Sequence, residues 1–397
     1  MRPPLLCCAL ALALPALACS DKTESAGASG VGGAAGGAGA TTSAGASGVA
    51  TGGGVAGGSS GGGANSGGTI AGNDAGGSSP GGVGGDSTAS PLCALTESGP
   101  IKADAEGQVI ELLHIVSTSG PAIDVDGHSG VVIKNVAVEH AGGPGIAANA
   151  APDLTIQDVS VAYTGAPKSG ANPSDEHVNI ALYGSAGVVI KRVRLSQGSS
   201  GIYLVESKDS ELSFVEGHDF RGPFPRGQLV QWDKSDHGLL EDFSVVNPEG
   251  SWPEDNVNIY QSVDVTVRRG LIDGNNSPSG VGVIFDGGPS TGLVEDVDAT
   301  HMGNGCFSDY AGGPGVVFRR TRCRDNVCED QGRGVPLSNA LMWCGHDTHT
   351  DLKIEASTYT ASCNGNVVWP EESFATLELT EADFQLKPPL ELDFCWE

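Results

Sequence analysis

Short runs of β-branched and aliphatic residues recur from residue 108 onward, separated by segments rich in Gly, Asn and Asp. Residues 132–134, 188–191 and 265–268 are examples, and the register that we assign gives a minimum repeat of 23 residues. A second apolar run follows within most repeats, as in residues 178–182 and 202–205. The intervening Gly, Asn and Asp are residues that form turns. The pattern predicts about ten repeats, each with two strands joined by turns.

One apolar position in each first strand sets the register. The anchors that we assign are Ile110, Ile133, Ile156, Ile190, Ser213, Leu240, Val267, Val294, Phe318 and Ile354. From the sixth repeat onward the residue after each anchor alternates in sign, through Glu241, Arg268, Glu295, Arg319 and Glu355. If neighbouring repeats stack, opposite charges come within about 5 Å of each other, which is favourable. The alternation therefore predicts stacked coils whose surface arginines form ion pairs rather than a site.

Repeats of this length, without helical periodicity, indicate a solenoid built of strands. In repeat length and pattern, residues 108–369 resemble the right-handed parallel β-helix of the pectate-lyase-like superfold. The resemblance implies an all-β fold, a single-stranded right-handed parallel β-helix solenoid of about ten coils. It indicates the fold well and the function poorly. A β-propeller is the alternative, but its blades need about 40 residues or more.

The segments around the repeats have different predicted roles. Residues 91–107 and 370–397 are expected to cap the solenoid, because exposed strand edges would pair with other chains. Residues 20–90 are rich in Gly, Ser and Ala and are predicted to form a disordered linker. Residues 1–19 resemble a bacterial secretion signal, with Arg2 before an apolar core and small residues before Cys19.

The end of this signal has two interpretations. An ordinary signal peptidase could cut after Ala18, which would release the protein outside the cell. Alternatively, residues 17–19 resemble a bacterial lipobox, which would leave Cys19 as a lipidated N-terminus. The lipobox pattern usually has Leu three residues before the Cys, where this chain has Ala16. We expect an exported lipoprotein of the outer membrane or cell surface, or else an extracellular protein, that contacts a membrane only through this lipid.

Charge and cysteine content narrow the partners. The chain has 48 Asp and Glu against 21 Lys and Arg, a net charge of −27, which disfavours nucleic acid. Its 10 Cys residues are typical of an oxidising compartment. Cys328 and Cys363 follow the first strands of adjacent repeats at nearly the same offset, so we predict a disulfide between them. We expect a monomer.

The connections between first and second strands are unequal and hold the candidate chemistry. They are long at residues 164–176, 217–226, 247–255 and 325–338, and short at residues 197–200 and 302–305. Long loops that leave a rod at one corner would wall a depression in which a chain-like ligand could lie. The partner that we expect is therefore a polysaccharide.

An enzyme that cleaves or epimerises an acidic polysaccharide needs a base and a group that neutralises the sugar carboxylate, often Ca²⁺. The candidate catalytic residues are His177, Arg226, Lys234, Asp255 and Tyr260. The candidate calcium ligands are Glu176, Glu254 and Asp286. The candidate substrate-binding residues, an aromatic platform with neighbouring amides, are Asn179, Tyr203, Trp232 and Asn258. No cofactor is certain, and Ca²⁺ is the one that this residue set would hold.

Three functions stay open from the sequence. The first is a lyase or epimerase, with hydrolysis by a carboxylate pair such as Asp255 and Asp273 as a variant of it. The second is a non-catalytic surface module that binds glycan or acts as a rigid stalk. The third is a fibre of the phage-tail or autotransporter type. The acids at the loop ends also have a purely structural interpretation as solvated turn residues.

Overall fold

A computed structural model describes residues 94–248, 251–275, 280–310, 313–326, 341–345, 350–360 and 367–397. The predicted signal, Cys19 and the Gly-rich linker lie outside these ranges, as do Cys328 and Cys363. The described part is an all-β parallel solenoid of about ten coils, which confirms the predicted architecture. Within the described segments, no helix is long and apolar enough to cross a membrane.

Two parallel sheets run the length of the rod. The long-strand sheet contains β1 (Thr96–Ser98), β3 (Val109–Ser117), β5 (Val132–His140), β7 (Thr155–Tyr163), β9 (Val189–Ser196), β11 (Glu211–His218), β13 (Leu239–Val246), β15 (Val265–Asn275), β17 (Gly292–Met302), β19 (Val317–Arg319), β20 (Arg322–Arg324), β22 (Leu352–Tyr359) and β24 (Phe374–Glu381). The short-strand sheet contains β2 (Ile101–Lys102), β4 (Ile123–Asp126), β6 (Ile146–Asn149), β8 (Ile180–Tyr183), β10 (Ile202–Val205), β12 (Val230–Asp233), β14 (Val257–Tyr260), β16 (Val281–Asp286), β18 (Gly305–Asp309), β21 (Leu341–Cys344) and β23 (Val368–Trp369). A single 3-10 turn, Glu371–Ser373, precedes β24.

The strands β3, β5, β7, β9, β11, β13, β15, β17 and β22 each bend at a residue in the left-handed region. Asn135 and Asp158 occupy this position with φ of 51° in both cases, and Asp242 and Asp296 follow with 54° and 55°. Asn and Asp adopt this conformation more readily than other residues that carry a side chain. Because the bend interrupts the alternation of inward and outward side chains, both halves of the strand contribute apolar residues to the core.

The anchors form a buried apolar column, with one correction to the register. Leu212, and not Ser213, pairs with Ile190 on one side and Leu240 on the other. Leu212 is fully buried. The anchor at Ser213 was wrong. The repeat that starts at Ile190 is one residue shorter than the minimum repeat length predicted from the sequence, and only Leu212 places an apolar side chain inside. The other anchors pair as expected, for example Ile133 with Ile110 and Ile156.

The predicted ion-pair columns are confirmed on the outer surface. The Arg268 guanidinium lies 2.6 Å from Glu241, and Arg269 lies 2.8 Å from Asp242. Arg319 bridges two coils, at 3.4 Å from Glu295 and 2.7 Å from Glu355. These side chains are partly solvated, so each pair contributes little to stability. They explain the alternating charges without a functional role.

The segments before and after the repeats pair with the two sheets. Residues 94–107 supply β1 and β2, which extend both sheets by a partial coil. At the other end, β24 pairs with β22. Residues 382–397, here called the C-terminal strap, then return along the outer side of the long-strand sheet. Along it the Leu390 amide donates to Ser244 Oγ at 2.9 Å, and the Leu392 amide donates to Glu216 Oε2 at 3.0 Å.

Disulfide bonding occurs in the C-terminal coils. Cys306 of β18 is joined to Cys323 of β20, and Cys344 of β21 is also disulfide-bonded. The predicted pair Cys328–Cys363 stays a prediction, since both residues lie outside the described ranges.

Candidate functional site

The outer face of the short-strand sheet carries polar and aromatic side chains. The first and third residues of each strand point inward, as shown by the fully buried Ile202 and Leu204 of β10. The second and fourth residues therefore point outward. We call the polar and aromatic outward side chains of the central strands the short-strand face; they are Tyr183, Tyr203, Gln231, Asp233, Asn258, Tyr260 and Asp286, the last of which is the sixth residue of β16 and pairs with Tyr260.

Three interlocked loops wall one side of this face. Arg221 is buried, and its guanidinium donates to the carbonyls of Pro167 at 3.0 Å and Gly170 at 3.4 Å. The same guanidinium lies 2.5 Å from Asp219, whose other carboxylate oxygen accepts a hydrogen bond from Ser251. One buried ion pair thus ties the loop before β8, the loop before β12 and the loop before β14 to each other. The wall is therefore held by buried hydrogen bonds of a charged group.

The centre of the short-strand face is a cluster of Tyr203, Arg226 and Asp233. The Arg226 guanidinium lies 4.0 Å from the centre of the Tyr203 ring, a cation–π contact, and its Nη1 donates to Gln231 at 3.1 Å. The Tyr203 hydroxyl donates to Asp233 Oδ2 at 3.3 Å. These contacts bring a cation, a phenol and a carboxyl together from two adjacent coils and the loop between them.

Three buried polar atoms around this cluster have no hydrogen-bond partner among the described residues. They are Arg226 Nε, Asp233 Oδ1 and Asn258 Oδ1. A buried polar group without a partner costs about 1–3 kcal/mol, so such groups in a native protein need an explanation. Ordered water beneath the short-strand face, or a polar ligand that displaces the side chains covering these atoms, would satisfy them. The convergence on one surface marks it as the candidate site.

Burial changes the acidity of the groups on this face. Desolvation raises the pKa of Asp233 above its ordinary value, although Lys234 and Arg226 act against the rise. Burial likewise raises the pKa of Tyr203, with Arg226 opposing. Asp233 therefore keeps its proton to higher pH than an exposed carboxyl does. A carboxyl adjusted in this way is suited to donate a proton.

Two further residues extend the face toward the C-terminal coils. Tyr260 pairs in register with Asp233 on one side and Asp286 on the other. The Tyr260 ring packs against Gly287, where a Cβ would lie 2.3 Å from the ring and the backbone has φ of 69°. Only Gly satisfies both requirements. Asp233 and Asp286 are thus two coils apart in one column, about 10 Å along the rod.

Not all predicted catalytic residues reach this face. Arg226 and Tyr260 do, and Lys234 follows Asp233 directly as an exposed side chain. His177 does not, since its ring stacks on Tyr163 at 4.6 Å beside the start of β8. Burial lowers the pKa of His177, which favours the neutral ring. His177 therefore belongs to the packing of the loop wall.

Asp255 lies beneath the face in a structural position. Its two carboxylate oxygens accept hydrogen bonds from Asn258 Nδ2 at 2.7 Å and from the Val281 amide at 3.0 Å. The side chain is fully buried and fastens the start of β14 to the start of β16. A contact between substrate and Asn258, which is also buried, stays a prediction.

Two predicted substrate-binding residues were assigned to the wrong side of the sheet. Trp232 is the third residue of β12, pairs with the inward Leu204 and is 0% exposed. Its indole Nε1 donates to Ser210 Oγ at 2.9 Å. Asn179 is also fully buried, and its Nδ2 donates to the Val161 and Ser196 carbonyls at 3.2 Å each. Neither side chain can stack on or bind an external sugar.

The predicted calcium ligands do not form one site. Glu176 precedes β8 and is exposed, whereas Glu254 precedes β14 and is buried. Since β10 and β12 lie between these strands, the two acids are three coil steps apart, about 14 Å. Asp286 lies one coil further, at the opposite end of its strand. Among the described residues, no group of three or more His, Cys, Asp and Glu side chains is arranged to hold a metal ion.

Asn179 also supports a buried histidine, which leads to a prediction on pH. His140 Nδ1 donates to the Gly143 carbonyl at 2.7 Å, and Asn179 Nδ2 donates to His140 Nε2 at 3.2 Å. Burial lowers the pKa of His140 from 6.5 to about 4. Because the folded value is below the unfolded value, the unfolded chain binds more protons, and stability falls as pH drops from 6.5 toward 4.

We expect His140→Gln to reduce this acid sensitivity. Urea unfolding at about pH 7 and about pH 5 should show a smaller loss of stability in the variant than in the wild type. His237→Gln, which alters an exposed histidine paired with Asp209, is the matched control. An equal loss in His140→Gln and wild type would show that His140 is protonated in the folded protein.

Sequence reasoning missed Asp233 and Gln231 as members of the face. The signal that identifies them is strand parity: each takes the second or fourth place in a strand whose first and third places are apolar. Aligning the short strands on their aliphatic first residues, rather than on their aromatic residues, would have placed Asp233 outside and Trp232 inside.

Comparison with protein-family models gives no match, and comparison with curated proteins gives none either. Among solved structures, the chain is similar to an alginate lyase from a Paenibacillus species, with 10% identity and a TM-score of 0.37, over 66% of this chain and 99% of the lyase. It is similar to the catalytic domain of a GH87 alpha-1,3-glucanase in complex with nigerose, with 9% identity and a TM-score of 0.40, over 74% of this chain and 63% of that domain.

A third similar structure is PfbA, a surface adhesin of Streptococcus pneumoniae, with 10% identity, a TM-score of 0.36 and coverage of 75% of this chain and 74% of that chain. Two of these proteins are enzymes by name and one is an adhesin. Similarities this low show only that the backbones follow a similar path, and they carry no argument about activity. The class that the structure itself defines is the parallel β-solenoid.

Proposed function

We propose that this protein hydrolyses glycosidic bonds of an extended polysaccharide on the short-strand face, with Asp233 as the general acid. The observation that carries the proposal is the environment of Asp233. Burial raises its pKa, Tyr203 donates to one carboxyl oxygen, and the other oxygen is buried without a partner among the described residues. Such a carboxyl keeps its proton to a higher pH than an exposed carboxyl does, which suits a general acid.

In this proposal Asp233 protonates the oxygen of the sugar that leaves. The carboxylate that results is stabilised by Arg226 and Lys234, the cations that act against its raised pKa. Tyr203 keeps its hydrogen bond to Oδ2 in both states, which fixes the orientation of the carboxyl. The residues around the acid thus favour both the proton donor and the anion that it becomes.

A second carboxylate is needed to activate water, and Asp286 is the candidate. It lies two coils from Asp233 in the same outward column, with Tyr260 between them. The backbones are about 10 Å apart. Carboxyl groups in inverting glycosidases are separated by about 6.5–9.5 Å, and those in retaining enzymes by about 5–5.5 Å. A separation of about 10 Å is nearer to the inverting range than to the retaining range, so we expect inversion at the anomeric carbon.

The experiment is a cleavage assay with purified protein and a panel of neutral and anionic polysaccharides. Release of reducing ends reports hydrolysis, and the anomeric configuration of the first product, followed by proton NMR, reports inversion or retention. Hydrolysis with inversion supports the proposal. Retention would contradict the role of Asp286. Binding without cleavage of any polymer would leave a glycan-binding module, the non-catalytic alternative.

A lyase is the second candidate, and one observation favours it. Arg226 has an Nε without a partner among the described residues and lies over the Tyr203 ring, so it could hold a sugar carboxylate next to a phenol. The raised pKa of Tyr203 counts against its use as a base. Ultraviolet absorbance of an unsaturated product in the same assay would identify lyase activity and overturn hydrolysis.

We also propose that the protein is exported and tethered through a lipid on Cys19. The support is the sequence of residues 1–19 and the Gly-rich tract that follows. A flexible tract of this length would give the solenoid freedom to reach a polymer away from the membrane. Mass spectrometry of the mature N-terminus distinguishes a diacylated Cys19 from a free N-terminus at the same residue.

A further inference from the structure

Tyr183 is the most exposed large ring of the short-strand face. It is the fourth residue of β8 and 42% exposed. Its ring meets the Tyr203 ring edge to face, with centroids 6.1 Å apart and an interplanar angle of 90°. Tyr203 in turn contacts Arg226 and Asp233. The aromatic surface is therefore continuous from Tyr183 to the acid.

The strands order this surface along the rod. Because β8, β10 and β12 are neighbours in the short-strand sheet, Tyr183 lies two coil steps from Asp233, about 10 Å. An extended glycan that runs along the rod can therefore contact both residues at once. Tyrosine suits such a contact, since its ring offers a large apolar face and loses little conformational freedom.

The charges around Tyr183 select the kind of glycan. Burial raises the pKa of its hydroxyl, and Glu176 and Asp175 add to the rise, whereas Arg226 opposes it. Both acids are exposed at the end of the loop before β8. A uronate bound on the ring would meet the carboxylates of Glu176 and Asp175 against the single cation Arg226, which is already engaged with Tyr203 and Gln231, on a chain whose net charge is −27. A neutral sugar meets no such repulsion.

We propose that Tyr183 forms a stacking subsite for a neutral glycan that runs along the rod toward Asp233. This inference rests on the proposed function for its direction and deepens it by naming the substrate class. The neutral sugar packs its apolar face on the exposed ring, and the acidic loop end before β8 excludes polyanions. Arg226, which is engaged with Tyr203 and Gln231, orients the aromatic surface.

The test measures binding in full-length protein that carries Asp233→Asn, so that the polymer stays intact. The probes are highly methyl-esterified pectin and the same polymer after de-esterification, together with soluble neutral glucans, xylan and mannan. Affinity electrophoresis or calorimetry gives the dissociation constants. We expect at least one neutral polymer to bind and the de-esterified pectin to bind more weakly than its ester.

Two variants of Tyr183, with one control variant on the other sheet, locate the contact. Tyr183→Ala should weaken binding of the neutral polymer about tenfold, whereas Tyr183→Phe should keep it, because stacking needs the ring and not the hydroxyl. Phe214→Ala is the matched control, since Phe214 is 37% exposed on the long-strand sheet. Tighter binding of the de-esterified polymer, or no effect of Tyr183→Ala, would overturn the inference.

The outcomes separate this inference from the proposed function. Tyr183-dependent binding of a neutral polymer that the wild type does not cleave would support the subsite and contradict hydrolysis. Cleavage of a polymer that Tyr183→Ala binds and cleaves like the wild type would support hydrolysis and contradict the subsite. Failure of every polymer to bind would contradict both.

Discussion

Asp233→Asn is expected to lower kcat by about 10²- to 10⁴-fold, the usual contribution of general acid–base catalysis. Asn keeps the shape of the side chain and can still accept the Tyr203 hydrogen bond, but it has no proton to give. The loss should therefore fall on kcat, with KM nearly unchanged. Initial rates of reducing-end release on the best polymer measure both parameters.

The pH dependence gives an independent check of the same residue. A general acid is active only while protonated, so the wild-type rate should fall as pH rises through the pKa of Asp233. Because burial raises that pKa, the fall should come at higher pH than an exposed carboxyl would give. In Asp233→Asn the small residual rate should lack this alkaline limb.

A matched control separates chemistry from folding. Asp209→Asn changes an exposed carboxyl in the turn after the preceding short strand, where it pairs with His237 at 3.0 Å. Its activity and unfolding transition should equal those of the wild type, and Asp233→Asn should unfold at a similar urea concentration. Full activity in Asp233→Asn would exclude Asp233 as the general acid, and the cleavage would then need another residue or the lyase mechanism.

The solenoid could be predicted from sequence because its determinants are local and repeated. Every coil needs inward apolar residues at the same places, and Ile133, Ile156 and Ile190 repeat this requirement along the chain. The error at Ser213 shows the limit of that reasoning. A spacing rule was applied where the buried position, Leu212, should have decided the register.

The candidate site was only partly predictable, for a physical reason. Arg226 and Tyr203 were identified by residue type, but which side of the strand a residue faces depends on parity within four-residue strands. The prediction of Trp232 as a surface aromatic is wrong, because its neighbours Gln231 and Asp233 are the residues that point outward. The loop wall organised by Arg221 could not be foreseen, since its partners are backbone carbonyls about 50 residues earlier in the chain.

The strap was beyond prediction as well, because residues 382–397 carry no periodic pattern. Their partners are far apart in sequence and lie in one outward column of the long-strand sheet. For example, the Arg194 guanidinium lies 5.0 Å from the centre of the Phe394 ring. Such a contact joins residues 200 positions apart, and only the stacked coils make it possible.

Asp298→Asn is expected to destabilise the protein by about 1–3 kcal/mol, because a buried carboxylate loses its charge-assisted hydrogen bonds while Arg322 and Lys387 stay partly solvated. Asp298 is 0% exposed, and its carboxylate accepts from Arg322 at 2.7 and 2.6 Å. It also accepts from the Lys387 amide at 2.8 Å and lies 3.2 Å from Lys387 Nζ. An amide in its place would turn an NH₂ group toward these donors.

The same change should loosen the strap, because Lys387 is held to the rod through Asp298. Limited proteolysis should cut residues 382–397 faster in Asp298→Asn than in the wild type, and urea unfolding should give the loss of stability. Asp296→Asn is the matched control on the same strand, since its pair with Arg320 is largely solvated and contributes about 0–1 kcal/mol. Equal effects of the two substitutions would mean that the strap does not depend on the buried carboxylate and is held by its other contacts, such as those to Ser244 and Glu216.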